Sequence, residues 1–185
     1  MVSIASLWLP IVLSAVFVFI ASSIIHMLLP YHRSDFRGVP SEAEVMGDLR
    51  KQQIPPGDYF IPHAATNAER QSPEYQDKLK NGPVVILSVQ PAGPPNMGRL
   101  LGQWFVYCLV VSFFSAYITG RALGPDAHYL SVFRFAGTMA FAGYGLGILQ
   151  NSIWYGRQWS STFKSVFDAA IYALVTAGTF GWLWA

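Results

Sequence analysis

The sequence is short of charge. Of 185 residues, 12 are Lys or Arg and 10 are Asp or Glu, a charged fraction of 12%. A soluble domain usually carries about 25%. The deficit falls in four stretches, residues 7–29, 100–118, 129–149 and 166–184. Their only Lys, Arg, Asp or Glu residues are Arg134 and Asp168, each close to a segment end. Cysteine is nearly missing too. Cys108 stands alone, which excludes an intrachain disulfide and a Cys-built zinc or iron–sulfur cluster. Inside an apolar stretch it reads as a small packing residue. No Lys or Arg precedes Arg33, so the basic n-region of a cleavable signal is lacking. There is no Gly-rich phosphate loop, no His-Glu-x-x-His and no Gly-x-Ser-x-Gly. Gly143-Tyr144-Gly145-Leu146-Gly147 follows no strand and lies in an apolar segment, so it resembles a nucleotide loop only superficially. A net charge of +2, with acids and bases nearly balanced in the polar part, argues against a nucleic-acid partner. No basic run marks an anionic-lipid patch.

What is present is hydrophobic, 52% of the chain. Each of the four stretches is near the roughly 20 residues that a helix needs to cross a hydrocarbon core of about 30 Å. The expected fold is a mainly α membrane protein, four transmembrane helices with a small α+β extramembrane insert between helices 1 and 2. Residues 1–30 form the first helix, 31–98 the polar insert and 99–185 helices 2–4. The first stretch is too long for a signal h-region and reads as a retained span, with Pro10 in its first turn where a missing N–H costs least. Four crossings put both termini on one side. Arg33, Arg37, Arg99, Arg157 and Lys164 flank the insert side, against Arg121 and Arg134 on the other. The positive-inside rule then makes 31–98 cytoplasmic and both termini external. Trp8, Trp182 and Trp184 fit one interfacial belt, and Tyr31, Trp104, Trp154 and Trp159 the other.

Within the insert, Ser41 and Glu44 have capping-box spacing before Val45, Met46 and Leu49, which predicts a short helix ended by Pro55-Pro56-Gly57. Residues 58–61 predict a short strand. Ser72-Pro73-Glu74 opens a second helix that Gly82 can end. Residues 84–89 are β-branched and turn-bounded, the best strand in the chain. Two strands and two helices make a cap with open sheet edges, which either its own loops cover or a partner pairs with.

Lipid tails are as apolar as Leu, so helices in a bilayer associate through close backbone packing. Ala169, Ala173, Ala177 and Gly181 form one stripe of small residues, and Ala136, Ala140, Gly143 and Gly147 another. They predict a tight hairpin of the last two helices across a loop at 151–163, or alternatively a homodimer face.

Polar residues collect at the insert-side helix ends: His26, Gln103, Gln150, Asn151, Lys164 and Asp168. Lys164 and Asp168 are one turn apart and can pair. Ionisable groups at this depth are either functional or anchors tying helix ends together. Metal candidates are limited to His26, His32, Asp35 and His63. No regular ligand spacing connects them, so interfacial hydrogen bonding is the plainer reading and no metal or other cofactor is expected. Arg134, one to two turns inside its span, snorkels, binds carbonyls at another helix end, or contacts a lipid headgroup.

Ile25-His26-Met27 with Pro30-Tyr31-His32, then Pro56-Gly57-Asp58-Tyr59, Gly82-Pro83, and the ending Thr176-Ala177-Gly178-Thr179-Phe180-Gly181-Trp182-Leu183-Trp184 carry a resemblance. Together they resemble a family of small, uncharacterised bacterial membrane proteins with four predicted spans. The resemblance covers most of the chain and implies the bacterial inner membrane, but no reaction. The leading expectation is a non-enzymatic accessory or scaffold subunit, with the lipid bilayer and other membrane subunits, or a second copy, as partners. One alternative is an oligomeric proton or small-ion transporter built on His26, Lys164 and Asp168. Another is a metal-dependent membrane enzyme using the histidines and Asp35.

Overall fold

The computed structural model describes residues 1–184. The chain is mainly helical and divides into two units. One holds Met1–Arg37 and the chain from Asn96 onward; the other is Gly38–Pro95. Residues 31–37, assigned to the insert by their polarity, therefore belong with the long helices.

In the helical unit, a single 3-10 turn at Ala5–Leu7 leads into α1, Trp8–Leu28. Helix α1 stops at Leu29, which is extended because Pro30 follows and disfavours the helical region for its predecessor. A 3-10 helix then covers Pro30–Ser34. Across the insert, α5 spans Met97–Ala122, its first turn capped by Asn96, whose side chain accepts the Arg99 N–H at 3.0 Å. Helix α6 spans Tyr129–Tyr144, a 3-10 turn covers Leu146–Ile148, α7 spans Leu149–Tyr155, and α8 spans Trp159–Trp182.

Three helical stretches are long and apolar enough to cross a membrane: Ala5–Leu28, Met97–Ala122 and Tyr129–Tyr155. Helix α8 has the length, 24 residues, but carries Lys164, Asp168, Thr176 and Thr179 and is not among these three. The expected loop at 151–163 is mostly helix. Residues 156–158 alone connect α7 to α8, because Gly156 takes the left-handed conformation (φ 66°) and its N–H closes on the Asn151 carbonyl.

Helices α6 and α8 make the most extensive helix pair, and α5 also packs on α6 while α1 packs on α5 and α8. Ala136, Ala140, Ala169, Ala173 and Ala177 are all buried. The two small-residue stripes do not mesh as spacing predicts. A Cβ on Gly143 would press on Val111 of α5 at 3.0 Å, and Gly147 faces open space. Gly137 and Gly145 meet α8 instead: added Cβ atoms would lie 2.9 Å from Ala177 Cβ and 3.0 Å from Ala169 Cβ. Gly181 makes room for the Tyr129 ring, 2.5 Å from where its Cβ would sit. Polar links stitch the remaining faces. Ser14 Oγ lies 2.8 Å from Ser112 Oγ, Trp104 donates to Ser22 Oγ at 2.8 Å, and Tyr107 donates to the Gly143 carbonyl at 2.6 Å. In a dry environment such bonds satisfy groups that would otherwise be costly to bury.

The second unit holds α2 (Glu42–Lys51), β1 (Gly57–Ile61), α3 (Asn67–Gln71), α4 (Pro73–Asn81) and β2 (Val85–Val89). Strands β1 and β2 pair antiparallel, Gly57 opposite Val89 and Ile61 opposite Val85. The capping box at Ser41 does not form. Ser41 is left-handed (φ 53°) and its side chain caps nothing, while its carbonyl receives the Glu44 and Val45 N–H groups. The working cap of this kind starts α3, a helix the composition did not announce. Thr66 Oγ1 accepts the Glu69 N–H, and the Glu69 carboxylate accepts the Ala65 N–H. Ser72 caps α4 and Gly82 ends it, as its sequence predicts.

Candidate functional site

The site forms where the 3-10 helix after α1 meets the first three turns of α8. Residues three apart in a 3-10 helix eclipse one another, so His32 and Asp35 share a face. Residues four apart in an α-helix do likewise, so Lys164 and Asp168 share a face of α8. The two pairs interlock crosswise. His32 Nε2 lies 2.8 Å from Asp168 Oδ2, and Lys164 Nζ lies 2.9 Å from Asp35 Oδ1. His32 Nδ1 turns back to Asp35 Oδ2 at 2.7 Å. Tyr31 donates to the other Asp168 oxygen, Oδ1. Lys164 spends its remaining protons on the Tyr31 carbonyl at 2.6 Å and Ser34 Oγ at 2.7 Å. The expected pairing of Lys164 with Asp168 is thus replaced: each reaches across to the 3-10 helix rather than along α8.

Both ring nitrogens of His32 face carboxylates. Only the imidazolium can donate to both. In that form His32 and Lys164 together balance Asp35 and Asp168, and the group is neutral. Balance matters because the two carboxylates are buried, with side chains 9% and 4% exposed. Burial alone would push the Asp35 carboxyl up, but the hydrogen bonds and charges of His32 and Lys164 outweigh it and hold Asp35 below its ordinary value. Burial, and then the neighbouring Asp168 carboxylate, push the Tyr31 phenol well above its ordinary value, so it stays a donor.

His26 stacks on His32, ring centroids 4.6 Å apart and planes 9° from parallel, with its Nδ1 held 3.0 Å from the Ser22 carbonyl. His26, His32 and Asp168 each offer a ligand atom within 4.8 Å of the others. Parallel stacked rings direct their in-plane lone pairs side by side rather than toward one point, and His32 already uses both nitrogens. The set is an ion-paired imidazole beside a stacking partner, not a convergent ligand sphere. Of the other sequence candidates, Gln103 and Gln150 are exposed, and no side-chain hydrogen bond joins them or Asn151 to the group among the described residues. His63 belongs to the other unit. Arg134 is exposed on α6 and makes no ion pair or side-chain hydrogen bond among the described residues.

Sequence reasoning set His32 and Asp35 together only as metal candidates, apart from Lys164 and Asp168, and missed the part played by Tyr31 and Ser34 in this group. The available signal was the pairing of two charge patterns, His-x-x-Asp just after one span and Lys-x-x-x-Asp just inside another. From Asp168 a line of hydroxyls continues into the helix bundle. Tyr172 and Thr176 follow it on the same face of α8, and Tyr144 of α6 lies against Tyr172 with centroids 5.5 Å apart. The Oη atoms of Tyr144 and Tyr172 and Oγ1 of Thr176 are buried and have no hydrogen-bond partner among the described residues. No protein-family model, curated protein or solved structure matches this chain, so a functional reading rests on the geometry of the site itself.

Proposed function

We propose that the protein is a non-enzymatic, four-span protein of the bacterial inner membrane that serves as an accessory or scaffold subunit of a membrane assembly. The carrying observation is the closure of the polar group. Each carboxylate oxygen of Asp35 and Asp168 has a donor, and Lys164 has three acceptors. Among the described residues, the carboxylates of Asp35 and Asp168, both ring nitrogens of His32 and the Lys164 ammonium are all engaged with one another or with Tyr31 and Ser34, and only His26 Nε2 beside them has no partner. A closed, neutral set of this kind fastens helix ends and fixes their register.

A fourth crossing by α8 is supported by where its two ends lie. Its first turns are tied to the 3-10 helix after α1. At the other end of the unit, Trp184 donates to the Gly124 carbonyl at 3.0 Å and Val2 N–H donates to the Gly120 carbonyl at 2.8 Å. Helix α8 thus runs the length of its neighbours, and 24 residues rise about 36 Å, enough for a core of about 30 Å. The Lys164–Asp168 charges stay near one surface and are paired, which removes most of their cost. On the positive-inside argument both termini are external and the insert is cytoplasmic.

In this reading the insert is the partner surface. Its sheet has two strands, and apolar side chains of both, Phe60, Ile61, Val85 and Ile86, are exposed. An open strand edge beside such residues accepts an extended segment of a partner. Purification from the native membrane in mild detergent, followed by mass spectrometry, tests the proposal. A stoichiometric co-purifying protein is expected; a strictly monomeric species with no companion would overturn it.

A second reading, proton transfer through an oligomer, is favoured by the unpartnered hydroxyls of Tyr172, Tyr144 and Thr176 that continue inward from Asp168. Water threaded past them would connect the imidazolium to the bundle interior. Proton flux into liposomes that is unchanged by Asp168→Asn and His32→Ala would remove this reading.

A further inference from the structure

Arg134 lies five residues after the start of α6, about 7 Å along the axis from Tyr129. It is exposed, and the surrounding surface is apolar. A guanidinium without an acceptor at membrane depth is costly. Side chains on a helix lean toward its N-terminus, so this one leans toward the near end of α6. That end carries the positive pole of the helix dipole, which opposes a cation and favours an anion.

Two grooves flank the residue, one on each side of α6. The first, about 430 Å³, lies between α6 and α8 over Gly137, Ala170 and Ala173. The second, about 340 Å³, lies between α5 and α6 over Ile118, Met139 and Ala142. Arg134 and Thr138, one turn apart, border both grooves and are the only polar side chains lining either among the described residues. The first groove exists because α6 and α8 present small residues, Gly137, Ala170, Ala173 and Ala177, where they meet.

We propose that this face binds one anionic phospholipid astride α6, with its phosphate on Arg134 and one acyl chain in each groove. Charge complementarity selects the headgroup: the free cation and the helix N-terminus both call for an anion, and Arg holds phosphate through paired N–H donors. The two flanking apolar channels match the two chains of a diacyl lipid better than a single helix of a partner, which would cover one groove and leave Arg134 unpaired. The proposal requires α6 to lie in a bilayer, and it is independent of any scaffold role.

The full chain, in mild-detergent micelles containing equal amounts of dioleoylphosphatidylglycerol and dioleoylphosphatidylcholine, would be analysed by native mass spectrometry. Wild type is expected to retain one phosphatidylglycerol per chain in preference to phosphatidylcholine. Arg134→Gln should lower that retention about tenfold, the loss expected for one charge-assisted contact. Arg134→Lys should keep part of it, since a point charge still binds phosphate. Thr138→Trp, at an exposed position, should fill both grooves and remove the lipid although Arg134 remains. Equal retention of the two lipids by wild type overturns the proposal without reference to any variant. So does unchanged retention in folded Arg134→Gln and Thr138→Trp. A lipid-free dimer that these substitutions split would also overturn it and assign the face to a second copy.

Discussion

His32 touches one carboxylate through each ring nitrogen, and Asp168 is the only one of the two contributed by α8. Replacing Asp168 with Asn keeps the shape but leaves a surplus positive charge and returns a neutral amide to His32. Breaking one partner out of a buried pair typically costs about 3–5 kcal/mol. Asp168→Asn should therefore lower the thermal midpoint in detergent by several degrees, and Lys164→Met should do the same by leaving Asp35 short of a cation. Because both act on one network, the double variant should be less destabilised than the sum of the two. Additive losses, measured by thermal unfolding, would show that the contacts are independent. Acid gives a second test. His32 and Lys164 hold Asp35 below its ordinary value near 3.8, with Tyr31 and Asp168 on the far side of the imidazole. A depressed carboxylate contributes stability that is complete above its unfolded value and is lost as pH falls through the folded one. The wild-type midpoint should drop below about pH 4, whereas Asp35→Asn should start lower at neutral pH and lack that portion of the acid dependence. At this scale the sequence names Lys164 and Asp168 but gives them the wrong partners: it sets them with Gln103, Gln150 and Asn151, and the structure sets them with Tyr31, His32, Ser34 and Asp35. Spacing within one helix shows Lys164 beside Asp168, but only the fold brings a distant 3-10 turn between them.

Elements are set by close approach as much as by hydrophobicity. Gly137 faces the Ala177 methyl at the α6–α8 contact, where a new Cβ would lie 2.9 Å away and neither helix backbone yields easily. Gly137→Ala should cost about 1–3 kcal/mol by overpacking. Gly147 has no atom within 4 Å of its would-be Cβ, so Gly147→Ala should be neutral or slightly stabilising. Midpoints of the two variants in one detergent decide the matter; equal shifts would mean that α6 and α8 are not packed through Gly137. The Ala stripe of α8 was readable from strict four-residue spacing. Its counterpart was not, because the turn at Leu146–Ile148 breaks the helical phase and takes Gly147 off the shared face. The insert teaches a similar point. Ser72-Pro73 starts a helix as composition predicts, but Ser41 is a cap in pattern only, since its left-handed backbone keeps its side chain from the N–H groups it would need to cap.

For the molecule as a whole, three helices are long and apolar enough to cross a bilayer, and a crossing by α8 is a testable addition to them. Composition marks all four stretches, but α8 also carries Lys164 and Asp168, whose partners lie on another element and are not visible in its own sequence. The four-span arrangement proposed above puts Ser3, Asp126 and Leu183 at one surface and Gln158 at the other. Cys108 is the single thiol and is buried, so a Cys108→Ser background is suited to accessibility mapping. Single cysteines at those four positions, probed in intact cells with a membrane-impermeant thiol reagent, should divide three to one: Ser3→Cys, Asp126→Cys and Leu183→Cys react from outside, and Gln158→Cys reacts only after lysis. If Gln158→Cys and Leu183→Cys react from the same side, α8 does not cross. The termini then lie on opposite faces, and the Tyr31–His32–Asp35 group fastens α8 along a membrane surface rather than through it.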